Sequence, residues 1–236
     1  MDTEKRDKKY NHWAREIPTY ICMAFPFAIF LLVMFQTNKE NQDSIQWLIT
    51  EALLWGSAIF PALFFLLRML IRDFSSFISE WIFFQWYGCF YLWPQYMYQI
   101  LLKKGIGISD ESYDKIKRVQ QRRGLNLDEP DKKKRKRIIK DIVYNIKNST
   151  REDNIVFEYN AFYGFYRNMV GGLIITAILV HFVIRPYLYC NLIKSIEAIT
   201  CFILVLIVIC LVFMYRNDYN YAIKMFHAYL KKLDSE

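Results

Sequence analysis

Residues 198–215 read AITCFILVLIVICLVFMY and carry no charge over eighteen positions. A helix of about eighteen to twenty apolar residues is long enough to cross the hydrocarbon core of a bilayer. Other charge-free stretches are 17–38 with 22 residues, 52–67 with 16 residues and 81–102 with 22 residues. These stretches predict a membrane protein and exclude an ordinary cytosolic globular domain.

The distribution of Lys and Arg decides between four and five membrane crossings. Apolar blocks lie at 17–37, 46–67, 81–102, 169–187 and 198–215. If all five cross, 9 basic residues face the cytoplasm and 22 face outward; if 81–102 does not cross, 28 face the cytoplasm and 3 face outward. Positive residues accumulate in cytoplasmic segments. We therefore predict an all-α, polytopic inner-membrane protein with four transmembrane helices and both termini in the cytoplasm.

Residues 81–102 read WIFFQWYGCFYLWPQYMYQILL, with ten aromatic side chains among 22 residues. Trp and Tyr favour the membrane–water boundary, because each joins an apolar ring to a polar tip. Gly88 and Pro94 would disturb a straight helix through the bilayer. We interpret the block as an interfacial or re-entrant element on the cytoplasmic side; the alternative is a fifth span.

This topology divides the chain into four regions. Residues 1–72 hold a short cytosolic stub and the first helical pair, and 73–102 hold the aromatic element. Residues 103–168 form a basic cytosolic insert, and 169–236 hold the second helical pair and an amphipathic tail. With only about sixty residues, the insert is too small to bury an independent core of its own.

The insert has the sequence signals of two helices. Ser109 or Asp110 can cap a helix that ends before Gly124, and Asp128 can cap a second helix with Pro130 in its first turn. The second helix has one apolar face, at Ile138, Ile139, Ile142, Val143 and Ile146. The two helices predict a hairpin packed on the aromatic block or on a neighbouring subunit.

Basic residues concentrate in this insert. Six occur in succession at 132–137, and a group of three arginines lies near them, upstream. They predict a site for an anionic ligand such as a nucleotide, a nucleic acid or a lipid headgroup. The alternative is a basic loop that only enforces topology beside the inner leaflet, and a helix spreads six successive residues over all its faces. The candidate ligands are Arg118, Arg122, Arg123, Lys132, Lys133, Arg135, Lys136 and Arg137.

The junction before the third predicted span reads FEYNAFYGFYRNMVGG at 157–172. Its Asn, Glu and Arg residues are denser than an aromatic membrane anchor requires, although such an anchor is the alternative interpretation. Gly171 and Gly172 open the span and let helices approach closely. We predict that the junction couples the insert to the spans through Tyr163, Tyr166, Arg167 and Asn168.

Polar residues within the spans are candidates for function, because burying them in lipid is costly. Glu51 and Arg185 suggest a structural ion pair at the outer boundary, and His181 can hydrogen-bond across helices or line a water path. We find no catalytic motif, no glycine-rich phosphate loop and no metal-ligand spacing in the sequence. We therefore expect no enzyme activity, no cofactor and no metal.

A small, four-span chain with a basic cytosolic insert resembles the transmembrane effectors of bacterial anti-phage defence systems. The resemblance covers the architecture of the whole chain, and its most individual motif is Tyr163-Gly164-Phe165-Tyr166-Arg167-Asn168 followed by Gly171-Gly172. It implies membrane permeabilisation or channel opening on a cytosolic signal, with a nucleotide-making or nucleic-acid-sensing protein as partner.

We expect the partners to be membrane lipids, further copies of the chain, and a cytosolic nucleotide, nucleic acid or soluble protein. The leading hypothesis is an oligomeric channel-like effector gated by that ligand. The alternative is a non-conducting scaffold that recruits a soluble partner through the basic insert.

Overall fold

The computed structural model describes residues 3–24, 64–79, 96–102, 107–184 and 190–235. Regular structure in these residues is helical throughout, without strands, which confirms the all-α prediction for this part of the chain. The helices are α1 (Thr3–Asn11, continuing through a π-helical segment His12–Glu16 and through 17–24), α2 (64–78), α3 (Tyr96–Leu102), α4 (Asp110–Arg122), α5 (Lys132–Ser149), α6 (Asn154–Ile178, with a π-helical extension Leu179–Ile184) and α7 (Cys190–Ser235).

The ends of α4 follow the sequence signals. Ser109 is the N-cap, and its side chain accepts a hydrogen bond from the Ser112 amide. Gly124, just beyond the C-cap Arg123, has a φ of 79°, a left-handed conformation that suits glycine.

The predicted start of α5 is wrong. Asp131, not Asp128, is its N-cap, and Asp131 Oδ1 accepts a hydrogen bond from the Lys133 amide at 2.8 Å. Leu127 is fully buried, and Asp128 pairs with Lys117. These two contacts fix the loop before α5 up to Asp128. The helix therefore starts later, and Asp131, the first acidic residue after Pro130, caps it.

The described residues form two compact units, which we treat separately. Unit 1 comprises Met1–Ile78 and Gly164–Phe213, and unit 2 comprises Ser79–Tyr163 and Met214–Glu236. Helices α6 and α7 contribute residues to both units.

Unit 1 has a small core and a large exposed apolar surface. Of the twenty large apolar side chains that are exposed in the described residues, sixteen belong to this unit. Its core is formed by Cys22, Ile71, Met169, Val170, Leu173, Ile203 and Cys210. A unit whose apolar side chains face outward in this number needs an apolar surrounding.

Unit 2 has the more usual pattern of a buried apolar core. The core joins α3, α4, α5 and the end of α7, and its fully buried members are Ile100, Leu101, Ile116, Leu127, Ile139, Ile142, Ile146, Ala222, Met225 and Phe226. The predicted apolar face of α5 is confirmed, as is its packing on the described end of the aromatic block. The tail buries Tyr221, Ala222, Met225, Phe226 and Tyr229 on one side of α7.

Two helical stretches, Asn154–Phe182 and Glu197–Ser235, are long and apolar enough to cross a membrane. The first contains residues 169–182 of the predicted span 169–187, and the second contains all of the predicted span 198–215. Of the other two predicted spans, only 17–24 and 64–67 are described, and both pieces are helical. Most of the aromatic element 81–102 lies outside the described residues.

Candidate functional site

The six successive basic residues at the start of α5 do not share one face. Lys132, Lys133, Lys134 and Arg137 are exposed, whereas Arg135 and Lys136 are half-buried. The reason is the rotation of about 100° per residue in an α-helix whose opposite side enters the core of unit 2. Burial lowers the pKa of Lys136, and the charge of Lys140 adds to this effect. The whole run therefore cannot hold one ligand.

A straight line of exposed side chains runs along the outer face of α5. We call it the basic stripe: Lys133, Arg137, Lys140, Tyr144 and Lys147, all exposed. Their spacing of four, three, four and three residues keeps them on one side of the helix. Tyr144 is 65% exposed. Lys140, Tyr144 and Lys147 were not among the predicted ligands, because they share the helical period of the stripe and lie outside the run of successive basic residues.

The three predicted arginines of α4 lie at its C-terminal end. Arg118, Arg122 and Arg123 are all exposed, and Arg118 Nε donates a hydrogen bond to the Asp114 carbonyl at 3.3 Å. Basic residues at this end of a helix are favourable, because they face the negative end of the helix dipole. Arg122 in the last turn and the C-cap Arg123 therefore have a structural role, whereas Arg118 lies one turn earlier.

Arg135 and Lys117 belong to the contact between α4 and α5. Lys117 Nζ lies 2.5 Å from Asp128 Oδ2. Burial raises the pKa of the Tyr113 hydroxyl, and the positive charges of Lys117 and Arg135 oppose this change. Arg135 therefore faces the hairpin, away from the basic stripe.

Asn168 on α6 satisfies a backbone carbonyl that a proline leaves open on α1. Residue 18 is proline, so it has no N–H to donate to the Ala14 carbonyl four residues earlier. The helix widens into the π-helical segment His12–Glu16, with the Ile17 amide bonded to the His12 carbonyl. Asn168, which is 2% exposed, donates from Nδ2 to the Ala14 carbonyl at 2.5 Å. Asn168 is therefore a packing contact between two helices.

A second side-chain bond joins the two helices eight residues further along each. The buried hydroxyl of Thr176 donates to the Cys22 carbonyl at 3.2 Å and to the Gly172 carbonyl at 2.9 Å. Because position 14 pairs with 168 and position 22 with 176, α1 and α6 run parallel in unit 1.

Glycines permit this close approach, as the sequence predicted for the start of the span. A Cβ atom at Gly171 would lie 2.9 Å from the backbone Cα of Ser75 on α2. At Gly172 it would lie 3.1 Å from the Cβ of Cys22 on α1. At Gly164 it would meet the Tyr10 hydroxyl at 2.8 Å and the Ala14 Cβ at 3.0 Å. Helix α6 therefore touches α1 and α2 at positions where only glycine fits.

The predicted coupling residues are divided between the units. Tyr163 belongs to unit 2 and is half-buried. Tyr166, Arg167 and Asn168 belong to unit 1, where the Tyr166 ring stacks on Phe213 with centroids 5.2 Å apart. Arg167 is half-buried. Coupling through these residues stays a prediction.

The predicted polar residues of the spans are described only in part. His181 is half-buried and meets the Phe182 ring edge-on at a centroid distance of 5.0 Å. Glu51 and Arg185, the predicted ion pair, lie outside the described residues.

Asp218 is a buried carboxyl that the sequence analysis did not single out. It lies three residues beyond the apolar stretch 198–215, in unit 2, and is 1% exposed. Its Oδ2 accepts a hydrogen bond from the Tyr96 amide at the start of α3, at 3.3 Å, and the Tyr96 and Tyr215 hydroxyls are hydrogen-bonded to each other. Burial raises the pKa of Asp218 to about 7, although the Tyr96 amide lowers it. In the sequence, Asp218 could have been selected because it lies about one helical turn after the apolar stretch 198–215.

Comparisons with known proteins give no relative from which the role of these features could be inferred. No family model matches the sequence, and neither a curated protein nor a solved structure matches it. In the described part of the chain, no group of three or more His, Cys, Asp or Glu side chains is placed to share a metal ion.

Proposed function

We propose that the chain is an oligomeric, multi-pass effector of the inner membrane, channel-like, and gated by an anionic ligand or a protein partner in the cytoplasm. The observation that carries the membrane location is the outer face of α7. Phe202, Val205, Val208 and Val212 are between 54% and 59% exposed, within a helix of 46 residues. Such a face is costly in water and favourable against lipid. The proposal includes no catalytic step.

The parallel packing of α1 and α6 supports the proposed orientation. If both helices cross the bilayer, parallel helices begin on the same side. The N-terminus and the chain that leads into α6 then share a compartment. This agrees with the concentration of Lys and Arg in both segments, which favours the cytoplasm.

Conduction in this proposal takes place between copies of the chain. The buried polar side chains of unit 1 include Thr19, Ser75, Asn168 and Thr176. Asn168 and Thr176 are directed at backbone carbonyls of α1, and Ser75 at its own helix. Residues 198–215 carry no charge. A ligand that binds one oligomer packing better than another would shift the population between closed and open states.

Ion flux from liposomes tests this function. Purified full-length chain is reconstituted, and release of a fluorescent ion indicator is followed with nucleotides, oligonucleotides and candidate partners added at the cytoplasmic face. We expect flux that depends on one of these additions, and protection of expressing cells against phage, as the resemblance to defence effectors implies. Liposomes that stay ion-tight with every addition would refute the channel.

The exposed basic residues of α5 also favour a scaffold that recruits a soluble partner without conduction. Reversing the charges of Lys132–Arg137 should then abolish partner pull-down and leave membrane leak unchanged. A pull-down that survives the reversal would exclude the scaffold.

A further inference from the structure

The basic stripe presents four positive charges along one side of α5, from Lys133 to Lys147. At 1.5 Å per residue the stripe is about 21 Å long. Within α5 the one acidic residue is Asp141, and the N-cap Asp131 precedes the stripe. Like charges three and four residues apart destabilise a helix, and an anion alongside removes this cost. The charge complement of the stripe is an extended anionic surface.

Two features favour a lipid surface over a nucleic acid. Tyr144 is the aromatic residue of the stripe, and one exposed ring of this kind suits the membrane–water boundary. Single-stranded nucleic acids are bound instead by stacking successive bases on several rings. In addition, α6, which carries a candidate span, begins at Asn154, only seven residues after Lys147. The predicted span begins at residue 169, about 22 Å further along α6, so the chain tethers the stripe within a few tens of ångströms of the bilayer.

We propose that the basic stripe binds the phosphate headgroups of anionic phospholipids in the cytoplasmic leaflet, with Tyr144 at the headgroup level. The inference rests on the membrane location in the proposed function and is independent of ion conduction. It assigns the stripe to lipid and leaves a soluble gating ligand, if one exists, to another part of the chain.

Amine footprinting of the unaltered full chain tests this assignment. The chain is reconstituted in nanodiscs of phosphatidylcholine alone or with roughly one-third phosphatidylglycerol, whose negative surface potential attracts basic segments. Acetylation rates of Lys133, Lys140 and Lys147 are measured by mass spectrometry relative to Lys231 and Lys232 of the tail, which serve as internal references. Each basic residue at an anionic surface strengthens binding about fivefold, so we expect phosphatidylglycerol to slow acetylation of the stripe by about fivefold or more. This protection should disappear in about 0.5 M NaCl, where charges are screened.

Two variants with equal loss of charge separate the stripe from a general effect of net charge. In Lys133→Gln/Arg137→Gln/Lys140→Gln, three of four stripe charges are gone, so stripe affinity for the lipid surface falls about a hundredfold and the protection of Lys147 is lost. In the control Arg118→Gln/Arg122→Gln/Arg123→Gln, the exposed arginines of α4 are removed and Lys147 stays protected.

Equal acetylation rates in the two nanodiscs would overturn the inference. So would equal protection of Lys147 in the two variants, or stronger protection of the stripe by an oligonucleotide in phosphatidylcholine nanodiscs. If the protection is found while liposomes stay ion-tight, the lipid assignment stands and the channel proposal fails. If flux is found without protection, the channel proposal stands and the lipid assignment fails.

Discussion

Replacing Pro18 by alanine should make Asn168 much less important for stability. In the native chain, Asn168 donates to an Ala14 carbonyl that has lost its usual donor, because residue 18 is proline. In Asn168→Ala this buried carbonyl loses its side-chain donor, which costs about 1–3 kcal/mol. With alanine at position 18, an N–H is again available four residues after Ala14. The same Asn168→Ala change should then cost less.

The difference between the two costs is the coupling energy of a double-mutant cycle. Hydrogen bonds between membrane helices contribute about 0.6–1.7 kcal/mol, and stranded buried carbonyls cost more. We therefore expect a coupling energy of about 1–2 kcal/mol. Unfolding of the four proteins in mixed micelles, followed by tryptophan fluorescence with Trp13 next to the site, gives the free energies. Hydrogen exchange supplies a second measurement, since the new amide at position 18 should be protected.

Thr176 provides the matched control, because it donates to the Cys22 carbonyl and not to that of Ala14. Pro18→Ala and Thr176→Ala should be additive. Mutations at independent sites are additive to within about 0.5 kcal/mol. A coupling energy below this value between Pro18→Ala and Asn168→Ala would therefore refute the reasoning. A coupling of equal size in the Thr176 cycle would show a general loosening of the helix pair instead.

The remaining predictions concern one glycine, one carboxyl and one core residue. Gly171→Ala should destabilise the chain by about 1–3 kcal/mol, because the new Cβ meets the backbone of Ser75, and thermal unfolding in detergent checks it. Asp218 has a pKa raised by burial from 3.8 to about 7, so the folded state holds the proton more tightly and stability should fall as pH rises through this interval. Asp218→Asn should flatten that pH dependence of the melting temperature, and an unchanged slope would contradict the assignment. Ile142→Ala removes a fully buried side chain and should cost about 2–5 kcal/mol, measured by urea-induced loss of helical circular dichroism; a cost below about 1 kcal/mol would show that the core of unit 2 is loose.

The local signals of the insert were sufficient to predict much of unit 2. A Ser cap, a Gly end and an apolar face of period 3.6 each reflect interactions within one helix. The start of α5 was wrong because it depends on two tertiary contacts, the burial of Leu127 and the pairing of Asp128 with Lys117. Sequence spacing does not reveal either contact.

The candidate site was predicted less well than the fold. The basic run indicated the right helix, but two of its six side chains, Arg135 and Lys136, are half-buried, and the stripe continues to Lys147. Asn168 was selected for its polarity and assigned to coupling, whereas its described contact is with a carbonyl left open by Pro18. Pro18 and Asn168 are 150 positions apart in sequence. The sequence pattern of a single helix therefore could not predict this contact.

The equal spacing of the two side-chain bonds between α1 and α6 limits how this helix pair can move. Ala14 and Cys22 are as far apart on one helix as Asn168 and Thr176 are on the other. Sliding by one helical turn would break both bonds at once, and the glycine contacts would clash as well. Pivoting about the π-helical segment at His12–Glu16 keeps the register. Any rearrangement of this pair should therefore tilt the helices and not ratchet them along each other.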